Sequence, residues 1–186
     1  MARRLRNEGD SGGGTTLAQG FPPLARADAH SLILGSMPGQ ASLRQARYYA
    51  HPRNAFWPIV SQCLGLAADA GYAPASDALL RRGFALWDVL ARCERPGSLD
   101  ADIRPESIEA NDFAAFFAAH PHIGRVLFNG AAAQALYRRH VLPALPAAMA
   151  AMAALPQLRL PSTSPAHAGM SRHDKALLWQ RALAPG

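Results

Sequence analysis

Cysteine is scarce in this chain, with only Cys63 and Cys93 among 186 residues. Two thiols cannot build a disulfide framework, and they fall short of the four that a thiolate-held iron–sulfur cluster needs. Long apolar runs are missing too, which excludes a membrane-spanning reading. No spacing of His, Cys and carboxylates completes a zinc set; His120 and His122 straddle Pro121 and read as part of a surface loop, so no metal is expected. The Gly-x-Ser-x-Gly elbow of serine hydrolases is lacking, and Gly35 to Gly39 is too short and wrongly spaced for a phosphate-binding P-loop. Charged residues make up only 17% of the chain, and Lys175 is its single lysine.

What is present is arginine, alanine and apolar residues. The net charge of +6 makes a polyanion the first partner to consider. A GC-rich coding bias accounts for Arg in place of Lys, but the excess of cations over acids remains. With 49% hydrophobic residues the composition is that of a soluble globular protein of one domain. The N-terminus does not read as a signal peptide, and a reducing, bacterial cytoplasm is the expected compartment.

Residues 1–25 carry Arg3, Arg4 and Arg6 and then a Ser/Gly/Thr stretch without hydrophobic periodicity, which predicts a flexible tail ahead of a single domain over 26–186. Ser31 to Gly35 reads as a buried strand stopped by Pro38 and Gly39. Asn54 to Leu64 places Phe56, Ile59, Val60 and Cys63 at helical spacing, with Asn54 at the start. Phe84 to Leu90 fits a strand better than a short helix. Residues 111–119 predict a helix capped by Asn111 or Asp112. Ile123 to Phe128 is a second clear strand, ending at Asn129-Gly130 ahead of an alanine-rich helix through His140. Gln157 to Leu160 is a last strand, and Ser171 to Leu183 a closing helix. Lys175 is expected at the surface of that helix, with Leu177, Leu178 and Trp179 packing inward. The alternation predicts a three-layer α/β/α fold around a mostly parallel four-stranded sheet.

In such a sheet the ligand site lies beyond the carboxyl ends of the strands. That rule gathers the loop Gly35-Ser36-Met37-Pro38-Gly39, the neighbourhood of Asp88, Phe128-Asn129-Gly130, and the loop from Pro161 to Gly169.

These segments, with Tyr48-Tyr49-Ala50-His51-Pro52-Arg53-Asn54-Ala55-Phe56-Trp57, resemble the uracil-DNA glycosylase superfamily. The loop Gly35 to Gly39 is similar to motif 1, and the match is closer to the hypoxanthine (deoxyinosine) DNA glycosylase branch, which also has Met in that loop. Leu86-Trp87-Asp88-Val89-Leu90, Gly97-Ser98-Leu99-Asp100, Asn111-Asp112-Phe113 and Leu160 to Ala166 add to the resemblance, which runs in order over roughly residues 30–182. It implies hydrolysis of the N-glycosidic bond of a deaminated base, hypoxanthine first and uracil or xanthine after it, flipped out of double-stranded DNA. It implies a monomer that needs no cofactor and no membrane.

The resemblance also assigns roles. Superfamily members that act through a motif 1 Asp or Asn place it where this chain has Ser36 or Met37, so water activation falls to Asn54, with N-capping as its structural alternative. Asp88 is expected to position water or sugar, unless it serves as a cap or ion-pair partner. Ser36, Met37, Tyr49 and Asn129 are the expected base contacts, Tyr49 by stacking and Asn129 through its amide. Core packing for Tyr49 and a turn role for Asn129 stay open. Ser162, Thr163, Ser164, Pro165, Ala166 and His167 resemble motif 2, a loop that grips the DNA backbone. The opposing reading is a catalytically silent DNA-binding relative, and fold analogy alone leaves a nucleotide-binding enzyme as a third.

Overall fold

A computed structural model describes residues 17–67 and 69–184. Four parallel strands form its centre in the order β3-β2-β6-β7: β2 (Ser31–Gly35), β3 (Phe84–Asp88), β6 (Arg125–Asn129) and β7 (Gln157–Leu160). All five residues of β2 and of β3 are buried, as expected of strands covered on both faces. The predicted four-stranded α/β/α architecture is present, and its sheet is parallel throughout.

Two helical layers cover it. On one face α2 (Phe56–Cys63) packs against α7 (Arg172–Leu183), Phe56 meeting the fully buried Trp179 edge-on at 5.5 Å, and α3 (Tyr72–Arg81) lies against α2. On the other, Phe113 of α4 (Phe113–Ala119) meets Tyr137, just past α5 (Ala131–Leu136), at 5.4 Å. Right-handed crossovers demand this division, because β2 connects outward to β3 while β6 connects the opposite way to β7. The strand order therefore reverses between β2 and β6, and a crevice opens at their carboxyl ends.

Several boundaries differ from the sequence reading. The predicted tail is folded over its last part. Leu17–Gln19 forms β1, pairing antiparallel with β4 (Leu90–Glu94), which in turn pairs with β5 (Glu109–Ala110) in a separate three-stranded sheet. The Phe21 carbonyl accepts a 3.0 Å hydrogen bond from the Trp87 indole, and that of Pro22 accepts the Tyr48 hydroxyl at 3.0 Å. The arginines of residues 1–16 lie outside the described residues. The run Phe84 to Leu90 is broken at Val89, where the chain leaves the parallel sheet for the small one. A six-residue helix, α1 (Gln40–Gln45), follows the Gly35 to Gly39 loop. The alanine-rich helix widens into a π-helical turn over Tyr137–Val141, and a single turn, α6 (Ala150–Ala153), precedes β7. The N-cap of α4 is Asp112, whose carboxylate accepts from the Ala115 amide at 2.9 Å, whereas the Asn111 amide donates to the Asp88 carbonyl at 2.8 Å.

Candidate active site

In-register pairing of Gly35 with Asp88 sets two strand ends at one level on the crevice floor. Around them a pocket is lined by Ser36, Met37, Tyr49, Asn54, Asp88, Asn129, Ser162, Ser164 and Pro165, with Ser98 and Asp100 from the loop after β4. Residues spread over some 130 positions of sequence thus meet at one site.

Gly35 is where the site is tightest. A Cβ there would collide with the Asp88 carboxyl and come within 2.9 Å of the Tyr49 hydroxyl, so only glycine admits both groups. Asp88 is buried, and its Oδ2 has no hydrogen-bond partner among the described residues. Burial above all, and then the nearby Asp100 charge, push its carboxyl up to about 7, against the pull of Arg95. The Tyr49 hydroxyl is likewise buried, with no well-aligned hydrogen bond among the described residues; burial followed by the Asp88 charge raises it above the usual phenol range, against the pull of the nearby Asn129 amide. Tyr49 holds φ at +53°, and its ring stacks on Phe56 at 4.1 Å. A β-carbon-bearing residue pays for such backbone, and such strain is typical of functional positions.

Asn54 stands just ahead of α2. Its Oδ1 accepts from the Phe56 amide at 3.0 Å, so from just outside the N-cap, Ala55, it takes the first amide of the helix and also borders the pocket. The helix itself starts at Phe56, two residues later than the spacing implied.

Beneath the Ser36 to Gly39 loop lies a residue that the sequence did not single out. Arg95 is fully buried, donates to the Pro38 carbonyl at 2.5 Å and stands 3.9 Å from Asp100. Its Nε and Nη1 have no hydrogen-bond partner among the described residues. Asp100 in turn accepts the Ser36 hydroxyl at 2.7 Å. The chain Arg95, Asp100, Ser36 fixes the direction of the serine O–H and leaves its oxygen as an acceptor. Met37 is buried in the same loop.

The loop after β7 is pinned from every side. Asn129 Oδ1 accepts from the Thr163 amide at 2.8 Å, and its Nδ2 donates to Thr163 Oγ1 at 2.9 Å. The Thr163 carbonyl accepts from the Ala55 amide at 3.0 Å, beside Asn54. From α7, the Trp179 indole donates to the Pro161 carbonyl at 3.0 Å, and Lys175 Nζ to that of His167 at 2.6 Å. Gly130, at φ +103°, lets the loop approach, since a Cβ there would sit 2.9 Å from that of Ser162.

Two expectations are corrected by this network. Lys175 is buried rather than at the surface, its ammonium held by the His167 carbonyl, whereas the apolar side chains of Leu177 and Leu178, expected to pack inward, are exposed. Thr163 is buried with its hydroxyl on Asn129, so it faces no solvent and no phosphate. Ser162 and Ser164 accept backbone amides, from Ser164 at 3.3 Å and Ala166 at 3.2 Å, which leaves their O–H groups free to donate. Ala166 and His167 are exposed and border a neighbouring depression instead. Among the described residues no three His, Cys, Asp or Glu side chains gather as a metal site would require, and no helix is long and apolar enough to cross a membrane.

The sequence profile of the Uracil DNA glycosylase superfamily matches residues 22–183. A hypoxanthine DNA glycosylase of Methanosarcina barkeri is 39% identical over 113 residues, 60% of this chain and 70% of that protein. Its counterpart in Methanosarcina acetivorans is 35% identical over 118 residues, 63% of this chain and 73% of that protein. A solution NMR structure of a candidate uracil DNA glycosylase from Methanosarcina acetivorans superposes with a TM-score of 0.72 at 29% identity, covering 90% of this chain and 97% of that one.

Proposed function

Because this chain belongs to the uracil DNA glycosylase superfamily, we propose that it is a monofunctional DNA glycosylase that removes hypoxanthine, and secondarily uracil or xanthine, from double-stranded DNA. The observation that carries the reading is the convergence of Asn54, the unpartnered Asp88 carboxyl and the Tyr49 ring at the β2/β6 crevice. The named activities of the two Methanosarcina relatives support the choice of base.

The bond to be broken leaves positive charge on deoxyribose and negative charge on the departing base. A flipped base enters the pocket with one face on Tyr49, whose other face already rests on Phe56. The Ser36 oxygen, its proton turned to Asp100, accepts from the N–H that hypoxanthine, xanthine and uracil carry next to a carbonyl. Adenine and cytosine have a bare ring nitrogen there, and would leave that acceptor facing another. The Asp88 carboxylate stabilises the sugar cation and, with the Asn54 amide, orients the attacking water. Asn129 serves the site by holding the 162–167 loop, and its amide, which also lies beside the Tyr49 hydroxyl, borders the base. Ser162, Ser164 and the exposed Pro165, Ala166 and His167 take the DNA backbone.

Incubation with inosine-containing and uracil-containing duplexes, followed by alkali, tests the reading. Abasic-site cleavage is expected with both, faster with inosine. Binding of these duplexes without any cleavage would favour the silent relative, for which Ser36 and Met37 in place of a motif 1 acid or amide speak.

A further inference from the structure

A second groove backs onto the base pocket across Tyr49, and His51 and Asn54 border both. Its wall is built from Arg47, Trp57 and Tyr72. Trp57 and Tyr72 pack edge-on at 5.1 Å, and the Arg47 guanidinium lies over the Tyr72 ring at 5.6 Å. The His51 Nδ1 accepts from the Arg53 amide at 3.1 Å, which leaves Nε2 as the donor of the neutral ring. Charge separates this groove from its neighbours. The base pocket is bordered by Asp88 and Asp100 and the depression beside His167 by Asp100, whereas among the described residues no carboxylate lines the Arg47 groove.

The turn that carries it is firmly held. Ala46 closes α1 at φ +49°, and the Ala50 amide donates to Ser42 Oγ at 3.1 Å. The Trp57 indole donates to the Tyr48 carbonyl at 2.7 Å. Half-buried aromatic faces, an exposed guanidinium and an imidazole N–H, fixed beside a base pocket, suit an unstacked nucleotide with its phosphate.

We propose that this groove holds a nucleotide next to the flipped one on the damaged strand, its phosphate on Arg47 and His51 and its base against Tyr72 and Trp57. The proposal rests on the glycosylase reading for the presence of DNA and adds where the strand runs: past Tyr49 toward α3. A flipped base must draw its neighbours from the stack, and an aromatic wall continuous with the base pocket compensates for that loss.

Arg47→Gln tests it, with Arg92→Gln, outside all three pockets, as the control for lost charge. The probe is a labelled duplex with one central tetrahydrofuran abasic analogue, beside versions trimmed to the lesion on its 5′ or its 3′ side. Arg47→Gln should weaken binding of the full duplex about five- to twentyfold and lower the salt slope by about one. Trimming one flank should erase the difference from wild type, and trimming the other should leave it. Arg92→Gln should bind within twofold of wild type. Equal loss on all three probes, or no loss on the full duplex, overturns the groove assignment. Alkaline cleavage of an inosine duplex is read in parallel: excision without an Arg47 effect removes the groove alone, and an Arg47 effect without excision removes the glycosylase reading alone.

Discussion

At Asn54 two demands meet on one side-chain amide: it holds the first amide of α2, and it borders the pocket in which the proposed reaction would run. The two can be separated by substitution. Asn54→Ala loses both and should cost about 1 kcal/mol of stability with the cap. Asn54→Ser keeps an oxygen for the Phe56 amide and should restore that stability, yet both variants should excise at least a hundredfold more slowly while binding DNA within a few fold of wild type. Single-turnover rates near wild type in the serine variant would remove Asn54 from the chemistry. Asp88 makes a second prediction, in pH. Its carboxyl is raised to about 7, chiefly by burial and then by Asp100, with Arg95 opposing. If the carboxylate is the working form, excision rises with pH through about 7 and levels off above it, and Asp88→Asn is slow and flat over that range. Stability runs the other way. The folded state holds the proton that the unfolded chain releases near 4, so stability falls as pH climbs from about 4 to 7. Asp88→Asn should therefore melt higher than wild type at pH 8, a gain of about 1 kcal/mol reading as roughly 2–4 °C. A variant that melts lower there would show that Arg95 needs the Asp88 charge more than the burial penalises it.

The loop after β7 is rigid because three elements hold it: β6 through Asn129, the start of α2 through the Ala55 amide, and α7 through Trp179 and Lys175. Lys175→Met removes the donor from the His167 carbonyl. It should weaken binding of damaged DNA several-fold, leave the saturated excision rate within about threefold, and recover partly in Lys175→Arg. A drop in saturated rate with unchanged binding would contradict a positioning role. The same geometry bears on strand cleavage. The one lysine amine is committed to a carbonyl and lies outside the pocket wall, so borohydride should trap no Schiff base on inosine-containing DNA. Strands and loops differed in how far they could be read. Ser31–Gly35 and Gln157–Leu160 stood out because breakers follow them at once. β4 and β5 did not, since Arg92, Glu94 and Glu109 pair with one another or with Arg104 on an exposed face and interrupt the apolar pattern. The buried lysine was hidden for a related reason: Lys175 occupies the stripe of Ala176, Trp179, Ala182 and Leu183, and only the distant His167 carbonyl explains it there.

Over the whole molecule, the parallel sheet and the end at which its loops gather follow from the alternation of strands and helices, and so most of the pocket was legible before its geometry. Arg95 was not, because its burial depends on Pro38 and Asp100 converging from separate loops. Nor was the fold of residues 17–25, a short stretch broken by Gly20, Pro22 and Pro23 whose order comes from partners distant in sequence. Trp87, on a central strand, donates its indole N–H to the Phe21 carbonyl, and Leu24 bridges to Leu86 through backbone hydrogen bonds of 2.9 and 2.8 Å. The Phe21 ring meets Tyr48 edge-on at 5.3 Å, and Tyr48 leads into the strained Tyr49. A chain beginning at residue 26 strips β4 of one neighbour and orphans the Trp87 and Tyr48 donors. An orphaned buried donor costs about 1–3 kcal/mol, so together with the lost apolar burial at least about 3 kcal/mol should go. The melting temperature should fall by roughly 6–12 °C. Excision below that temperature should slow as well, since Tyr48 no longer braces the turn that carries Tyr49. A truncated chain that melts within about 2 °C of the full one would mean that β1 and Phe21 contribute nothing to the fold, and would return residues 17–25 to the expected tail.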